Sequence, residues 1–351
     1  MKDFLAELIE IPGVSGYEEK AAKRIAEEFS RYCDEVRTDS FFNVYGIKRG
    51  AMHQDSSPGP KVMLAAHMDE IALMVRDIDD KGFLRFTNIG GVDQRILPAQ
   101  EVTVHGRRQL HGIIATVPPH MLSASDTNKA VKMKDMCIDL GMPAEKVKEL
   151  VRIGDLVTFR SPLVSMKEPM VNGKSIDDRA GVVMLAEVMK ELDRLNYQAE
   201  VYCVATVQEE VGTRGAIIST YAAEPDIGIA IDVTHGETPD ASKEDTHSME
   251  KGIVVCKGPN MHPGLTDKII EVAREYGIDV QIGVSPRPTG TDARSMQISR
   301  SGVPTILIEI PLRYMHTTVE TLNLDHLKMG ARLIALFIAS LKEGWQEWLR
   351  Y

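Results

Sequence analysis

Apolar runs in this chain break off abruptly at histidines and carboxylates. Val62 to Ala66 ends at His67 and Asp69, Val201 to Val207 at Glu209 and Glu210, and Ile227 to Ile231 at Asp232. A further run, Thr305 to Ile310, is followed by His316, and the pair Asp177-Asp178 opens a predicted helix. Two histidines and three carboxylates drawn from such endings would furnish two metal sites with one shared bridge. That ligand set suits zinc, cobalt or manganese.

Each residue has an ordinary reading beside the chemical one. His67 could cap a strand; Asp69, two residues on, would share its face in an extended segment and could hold the ring nitrogen that a metal leaves free. An Asp pair at a helix start is a good N-cap, but two cations about 3.5 to 4 Å apart need an anion between them. Glu209 and Glu210 would face opposite ways in a regular strand. Gly212 and Gly215 indicate that the chain is leaving the sheet there, so both acids can reach one pocket, a metal ligand beside a proton-transferring base. Asp232 follows the strongest apolar run, where an unpaired carboxylate would be costly. His235 is a second candidate in the same segment, three residues further into a loop.

The elements that must position these groups follow from periodicity and punctuation. Helices are predicted at 2–9 and 17–32, parted by Pro12-Gly13-Val14-Ser15-Gly16, then strands at 34–38 and 43–48 and a polar loop at 54–60. From 71 to 165 short alternating runs (71–77, 82–87, 101–105, 112–117, 155–159) broken by Gly, Pro and charges read as a small β-barrel. Thereafter helix and strand alternate: helix 178–194, strand 200–207, helix 213–221, strand 227–232, helix 264–276, strands 279–284 and 303–310, and a last helix from 324. The fold class is α/β, a mostly parallel mixed sheet flanked by helices, built from 1–70 and 166–351 and interrupted by the β insert at 71–165. In such sheets ligands bind beyond the carboxyl ends of the strands, where these endings would converge.

Composition narrows the function. A net charge of -10 without a basic cluster argues against nucleic acid. No stretch approaches the roughly 20 apolar residues that span a bilayer, and the amphipathic start lacks a signal-peptide core. Cys33, Cys137, Cys203 and Cys256 form no Cys-x-x-Cys pair, which fits reduced thiols and a cytoplasmic home. The chain has no His-Glu-x-x-His helix, Gly-x-Ser-x-Gly elbow or Walker loop.

Taken together the motifs resemble those of the tetrahedral aminopeptidases, metallopeptidase family forty-two. The resemblance rests on Ala66-His67-Met68-Asp69-Glu70, Ile176-Asp177-Asp178-Arg179, Gln208-Glu209-Glu210-Val211-Gly212, Ile231-Asp232-Val233-Thr234-His235, Gly290-Thr291-Asp292-Ala293 and Arg313-Tyr314-Met315-His316-Thr317. It implies two divalent ions per subunit, zinc first, with His67, Asp177 and Asp232 on one and Asp177, Glu210 and His316 on the other. It also implies Glu209 as general base, Asp69 supporting His67, a cis bond between Asp177 and Asp178, and Gly290, Thr291 and Asp292 near the substrate. Arg287 or Arg294 would then draw acidic side chains. The implied reaction is removal of the N-terminal residue of a peptide through a two-metal-activated water. The β insert would form dimers that assemble into a tetrahedral dodecamer; within it, Ile138-Asp139-Leu140-Gly141 fits the family and Pro118 to Leu122 fits less well. Rival readings are an endoglucanase-type glycoside hydrolase, which needs two acids and stacking aromatics where this chain has 5% aromatics, and a non-catalytic, chaperone-like shell.

Overall fold

A computed structural model describes residues 1–50, 59–121, 129–239 and 241–350. Most of the loop expected at 54–60, and Leu122, lie outside them. Lys61–His67 is buried from Val62 to its end, and Ile227–His235 from Ile227 to Val233. Such continuous apolar runs belong to strands covered on both faces, which is the situation at the centre of a helix-clad parallel sheet. Here Lys61–His67 lies between Glu200–Thr206 and Ile227–His235, parallel to both, and Ile227–His235 continues parallel to Thr305–Arg313.

The pairings at the flanks are mostly antiparallel. Val44–Arg49 and Glu35–Thr38 extend one side; Glu320–Asn323, Met170–Gly173 and Val164–Ser165 extend the other, while Ile253–Lys257 joins Thr305–Arg313 to Val280–Val284. One face carries the helices Ile176–Leu192 and Leu324–Ser340 over a core that includes Leu64, Val183, Ile229, Ile308 and Phe337. Arg214–Ala223 and Asp292–Gln297 cover the other face through Ala216, Ala223, Ala293 and Met296. No helix among the described residues is long and apolar enough to cross a membrane.

A closed barrel interrupts this sheet. Its strands run in the order Ala72–Ile78, Leu84–Ile89, Cys137–Asp139, Gln109–Ala115, Glu101–His105 and Leu156–Phe159. Gln109–Ala115 alternates exposed and buried residues, and its inward side chains Leu110 and Ile114 join a core of their own with Leu73, Val102 and Ile138.

Several elements differ from the sequence reading. The third strand of the parallel set runs on to His235 instead of stopping at Asp232, because its register with Thr305–Arg313 continues to the pair His235 and Leu312. Glu320–Asn323 is a strand that the sequence reading did not include; its backbone pairs with Met170–Gly173. The second helix is shorter, Glu19–Phe29. Ile253–Lys257 and one strand of the barrel, Cys137–Asp139, were not anticipated.

Candidate metal centre

Four parallel strands deliver the chemistry to one edge of the sheet. His67 is the last residue of its strand, Asp232 lies within Ile227–His235, and Glu209 and Glu210 follow Thr206, the residue paired with His67. His316 follows Thr305–Arg313. The turns that aim these groups are strained: Ser175, Gln208, Thr213, Tyr314 and His316 all hold positive φ, between 51° and 61°, without being glycine. Each such residue costs about 1 to 3 kcal/mol and persists only where its surroundings fix it.

Asp177 sits at the middle. Its Oδ1 lies 3.2 Å from His67 Nε2 and its Oδ2 3.2 Å from His316 Nε2. Glu210 Oε1 is 3.3 Å from the same His316 nitrogen, and Glu209 Oε2 is 4.0 Å from His67 Nε2. His67, Asp177 and Asp232 each offer a ligand atom within 4.8 Å of the others, and so do Asp177, Glu210 and His316. The structure therefore brings all five expected ligands into two triads sharing Asp177. The peptide bond from Asp177 to Asp178 is cis. His235 lines the cleft but joins neither triad.

Supporting contacts fix the donors. His316 Nδ1 faces the Gly91 carbonyl at 2.9 Å; a carbonyl can only accept, so Nδ1 carries a proton, and Nε2, turned to the carboxylates, is the nitrogen a cation would take in exchange for its proton. Asp69 lies 3.5 Å from His67 Nδ1, accepts the Ser15 hydroxyl at 2.6 Å, and receives the backbone N–H groups of Glu209 at 3.0 Å and Glu210 at 3.3 Å. It thus ties the first histidine to the loop bearing both glutamates. Glu320 plays the same part elsewhere, accepting the N–H of Ile176 at 2.7 Å, of Asp177 at 3.1 Å and of His316 at 2.9 Å. Beneath these, Glu70 is ion-paired with Lys174 and Arg179, while Arg179 donates to the carbonyls of Leu8, Ile11 and Met68. Burial opposes the charge on Glu70, but Lys174 and Arg179 outweigh it and hold the carboxyl at about 2.

The electrostatics show what the pocket lacks. Burial, aided by Asp232, Asp292 and Asp69 and opposed by His67, pushes Glu209 up to about 10; burial likewise raises Asp178 and Asp232. Hydrogen bonds to Asp177 and Glu210 push His316 up to about 11. Glu209 Oε1 and Asp178 Oδ2 are buried with no hydrogen-bond partner. Carboxylates in such excess over histidines need added positive charge to stay ionised, and the nitrogen and oxygen donors present fit borderline divalent ions.

A cleft of about 850 Å³ opens over the triads. Gly290, Thr291 and Arg294 line it; Asp292 instead turns inward, buried, and accepts the Thr206 hydroxyl at 2.5 Å. Arg287 is not among the lining residues. Sequence reasoning passed over Gly91 and Glu320. The glycine pair Gly90-Gly91 was a signal of close approach, since a β-carbon on Gly91 would stand 2.8 Å from His316 Nδ1. For Glu320 no local signal existed, because two of its partners lie 144 and 143 residues away.

Two triads of potential ligands around a shared carboxylate, at the carboxyl edge of a parallel sheet and with an acid beside them, form a candidate metallohydrolase centre. Residues 48–333 match the family model described as M42 glutamyl aminopeptidase, and the chain belongs to this family of metal-dependent aminopeptidases. It is 36% identical over 347 residues to the lysyl aminopeptidase of Pyrococcus furiosus, covering 97% of each chain. The TET aminopeptidase from the marine sediment archaeon Thaumarchaeota archaeon SCGC AB-539-E09 superposes with a TM-score of 0.92 at 31% identity, over 99% of this chain and 98% of that one. The TET1 peptidase of Pyrococcus horikoshii, described as assembling into a tetrahedron or a large octahedral shell, gives 0.84 at 31% identity over 97% and 99%. A Thermotoga maritima structure described as an endoglucanase gives 0.75 at 29% identity over 95% and 96%.

Proposed function

We propose that this aminopeptidase works with two divalent ions, one held by His67, Asp177 and Asp232, the other by Asp177, Glu210 and His316. The observation that carries this reading is the split of the Asp177 carboxylate between two histidines, with both triads complete. Zinc suits the mixed nitrogen and oxygen donors, and cobalt or manganese would substitute. Bound there, such ions supply the Lewis acidity that lowers the pKa of a water and polarises the scissile carbonyl. Glu209 is the general base: its unpartnered Oε1 is free to take a proton from water and then to pass it to the departing amine nitrogen. Asp69 keeps His67 and Glu209 in mutual register through its contacts with both.

The polypeptide divides into a catalytic part, 1–70 and 166–351, and the barrel at 71–165, which we assign to dimer formation. Dimers then assemble into a tetrahedral dodecamer like the shell described for the Pyrococcus horikoshii relative. The four cysteines are free thiols, which fits the cytoplasm. The family is described as glutamyl and the Pyrococcus furiosus relative as lysyl, so the N-terminal preference differs among relatives.

The test is release of p-nitroaniline from a panel of aminoacyl substrates by protein loaded with zinc, cobalt or manganese. Turnover that requires metal, and fails when the substrate's amino group is acetylated, is expected. Activity on cellulose with none on any aminoacyl substrate would overturn the reading. Among the described residues no Phe, Tyr or Trp lines the cleft, so the stacking platform common in sugar grooves is missing.

A further inference from the structure

Glu309 has no part in either triad, yet it is one of the most deeply placed carboxylates facing the cleft. It belongs to the run from Thr305 to Ile310 that reads as plain apolar strand, where a charged residue is unexpected. Its register partner in the neighbouring parallel strand is Asp232. Paired residues of adjacent strands share a face, so the Glu309 side chain rises beside the Asp232 ligand, one strand spacing of about 4.8 Å across the sheet. On the far side stand Cys256, whose thiol eases the charge on the carboxylate, and Gly283. A β-carbon on Gly283 would lie 3.3 Å from Glu309 Oε2 and 2.8 Å from a Val254 methyl, so glycine is what leaves that flank of the carboxylate uncovered.

Glu309 is only 9% exposed, and among the described residues no lysine or arginine pairs with it. Burial pushes its carboxyl up to about 7, the mark of an acid whose charge lacks a counterion. His247 lines the same pocket, but burial and His235 hold it below the usual histidine range, so it supplies little positive charge. The other charged residues on the cleft wall, Glu244, Asp245 and Arg294, are exposed, where water and salt screen them. A buried charge at the floor outweighs an exposed guanidinium at the wall, because its field acts through a medium of lower dielectric.

We propose that Glu309 is the specificity-determining residue of the cleft, and that the subsite it floors takes a basic N-terminal side chain, lysine or arginine. The proposal rests on the aminopeptidase reading above. With the peptide's amino terminus at the triads, a long aliphatic stem crosses the Asp232 strand and its cationic end meets the Glu309 carboxylate.

The experiment measures kcat/KM for Lys, Arg, Leu and Glu p-nitroanilides with the metal-loaded full-length enzyme and its Glu309→Gln and Glu309→Lys variants. The wild type is expected to favour Lys and Arg over Leu and Glu. In Glu309→Gln the ratio of Lys to Leu should fall by about 10- to 100-fold, as for loss of a hydrogen bond to a charged group. Glu309→Lys should reverse the order of Lys and Glu. A ratio unchanged in Glu309→Gln overturns the proposal, and so does a wild type that prefers Leu or Glu, whether or not the variants fold. Absence of turnover on every aminoacyl substrate would instead remove the aminopeptidase reading itself.

Discussion

Inside the barrel the side chains are apolar: Leu73, Val75, Leu84, Phe86, Val102, Val104, Ile138 and Phe159 help fill it, and Thr158 is the one buried polar residue among those described from 71 to 160. At the carboxyl edge of the large sheet His67, Asp69, Glu70, Asp177, Asp178 and Asp232 lie as deep. Burying apolar surface stabilises a fold without further conditions, whereas buried charges stabilise only when partners are complete. The barrel is therefore a unit whose sequence serves folding, and the sheet edge is one whose sequence works against folding unless positive charge offsets its buried acids. The two meet where the Gly91 carbonyl accepts from His316, and where Thr318 donates to Gln100 at 3.1 Å.

Substitutions can break this contrast. The largest effect is expected for Glu209→Gln, which should lower turnover by about 10²- to 10⁴-fold, the usual yield of a general base, with metal content unchanged by elemental analysis. Near-normal turnover would remove Glu209 from that role. His67→Ala should instead deplete the metal, and activity should fall in step with it; a variant retaining two ions per subunit would contradict the ligand set. In the barrel, Leu73→Ala should cost about 2 to 5 kcal/mol in denaturant or thermal unfolding of the metal-loaded protein, as for other buried leucines. Turnover per folded molecule should stay put, and a matching loss of metal would mean that the two regions are not separate units. The smallest effect is expected at their junction. Gly91→Ala places a β-carbon against the His316 ring, and calorimetric titration should show metal affinity at that triad weakened by up to about 10-fold, with unfolding unaffected.

The contrast also explains what the sequence made legible. Apolar runs that stop at a donor are visible in one dimension, so His67, the pair Glu209-Glu210, Asp232 and His316 stood out before any fold was known, and the family resemblance chose between the two glutamates. At Asp177 the helix start by itself favoured capping, and the resemblance supplied its shared place. The groups that hold them were hidden for a physical reason: Glu320 satisfies N–H groups whose positions depend on the folded chain, and in sequence it is one more acid in a polar stretch. Glu309 was concealed the other way, inside an apolar run that reads as plain strand. In the barrel the alternation of Gln109–Ala115 was readable, but Cys137–Asp139 is three residues long, too short for periodicity to register. Arg294 and Arg287 suggested an acid-binding pocket; the first is exposed and the second does not line the cleft.

Arg179 gives the first dozen residues an importance that their distance from the cleft conceals. Its guanidinium takes up the carbonyls closing the opening helix while ion-pairing with Glu70, three residues after His67 at the end of its strand. Removing that helix by truncation, or opening the chain there in a circular permutant, would strand a cation beneath the bridging aspartate. Such a protein would keep its sheet and lose its grip on the ions.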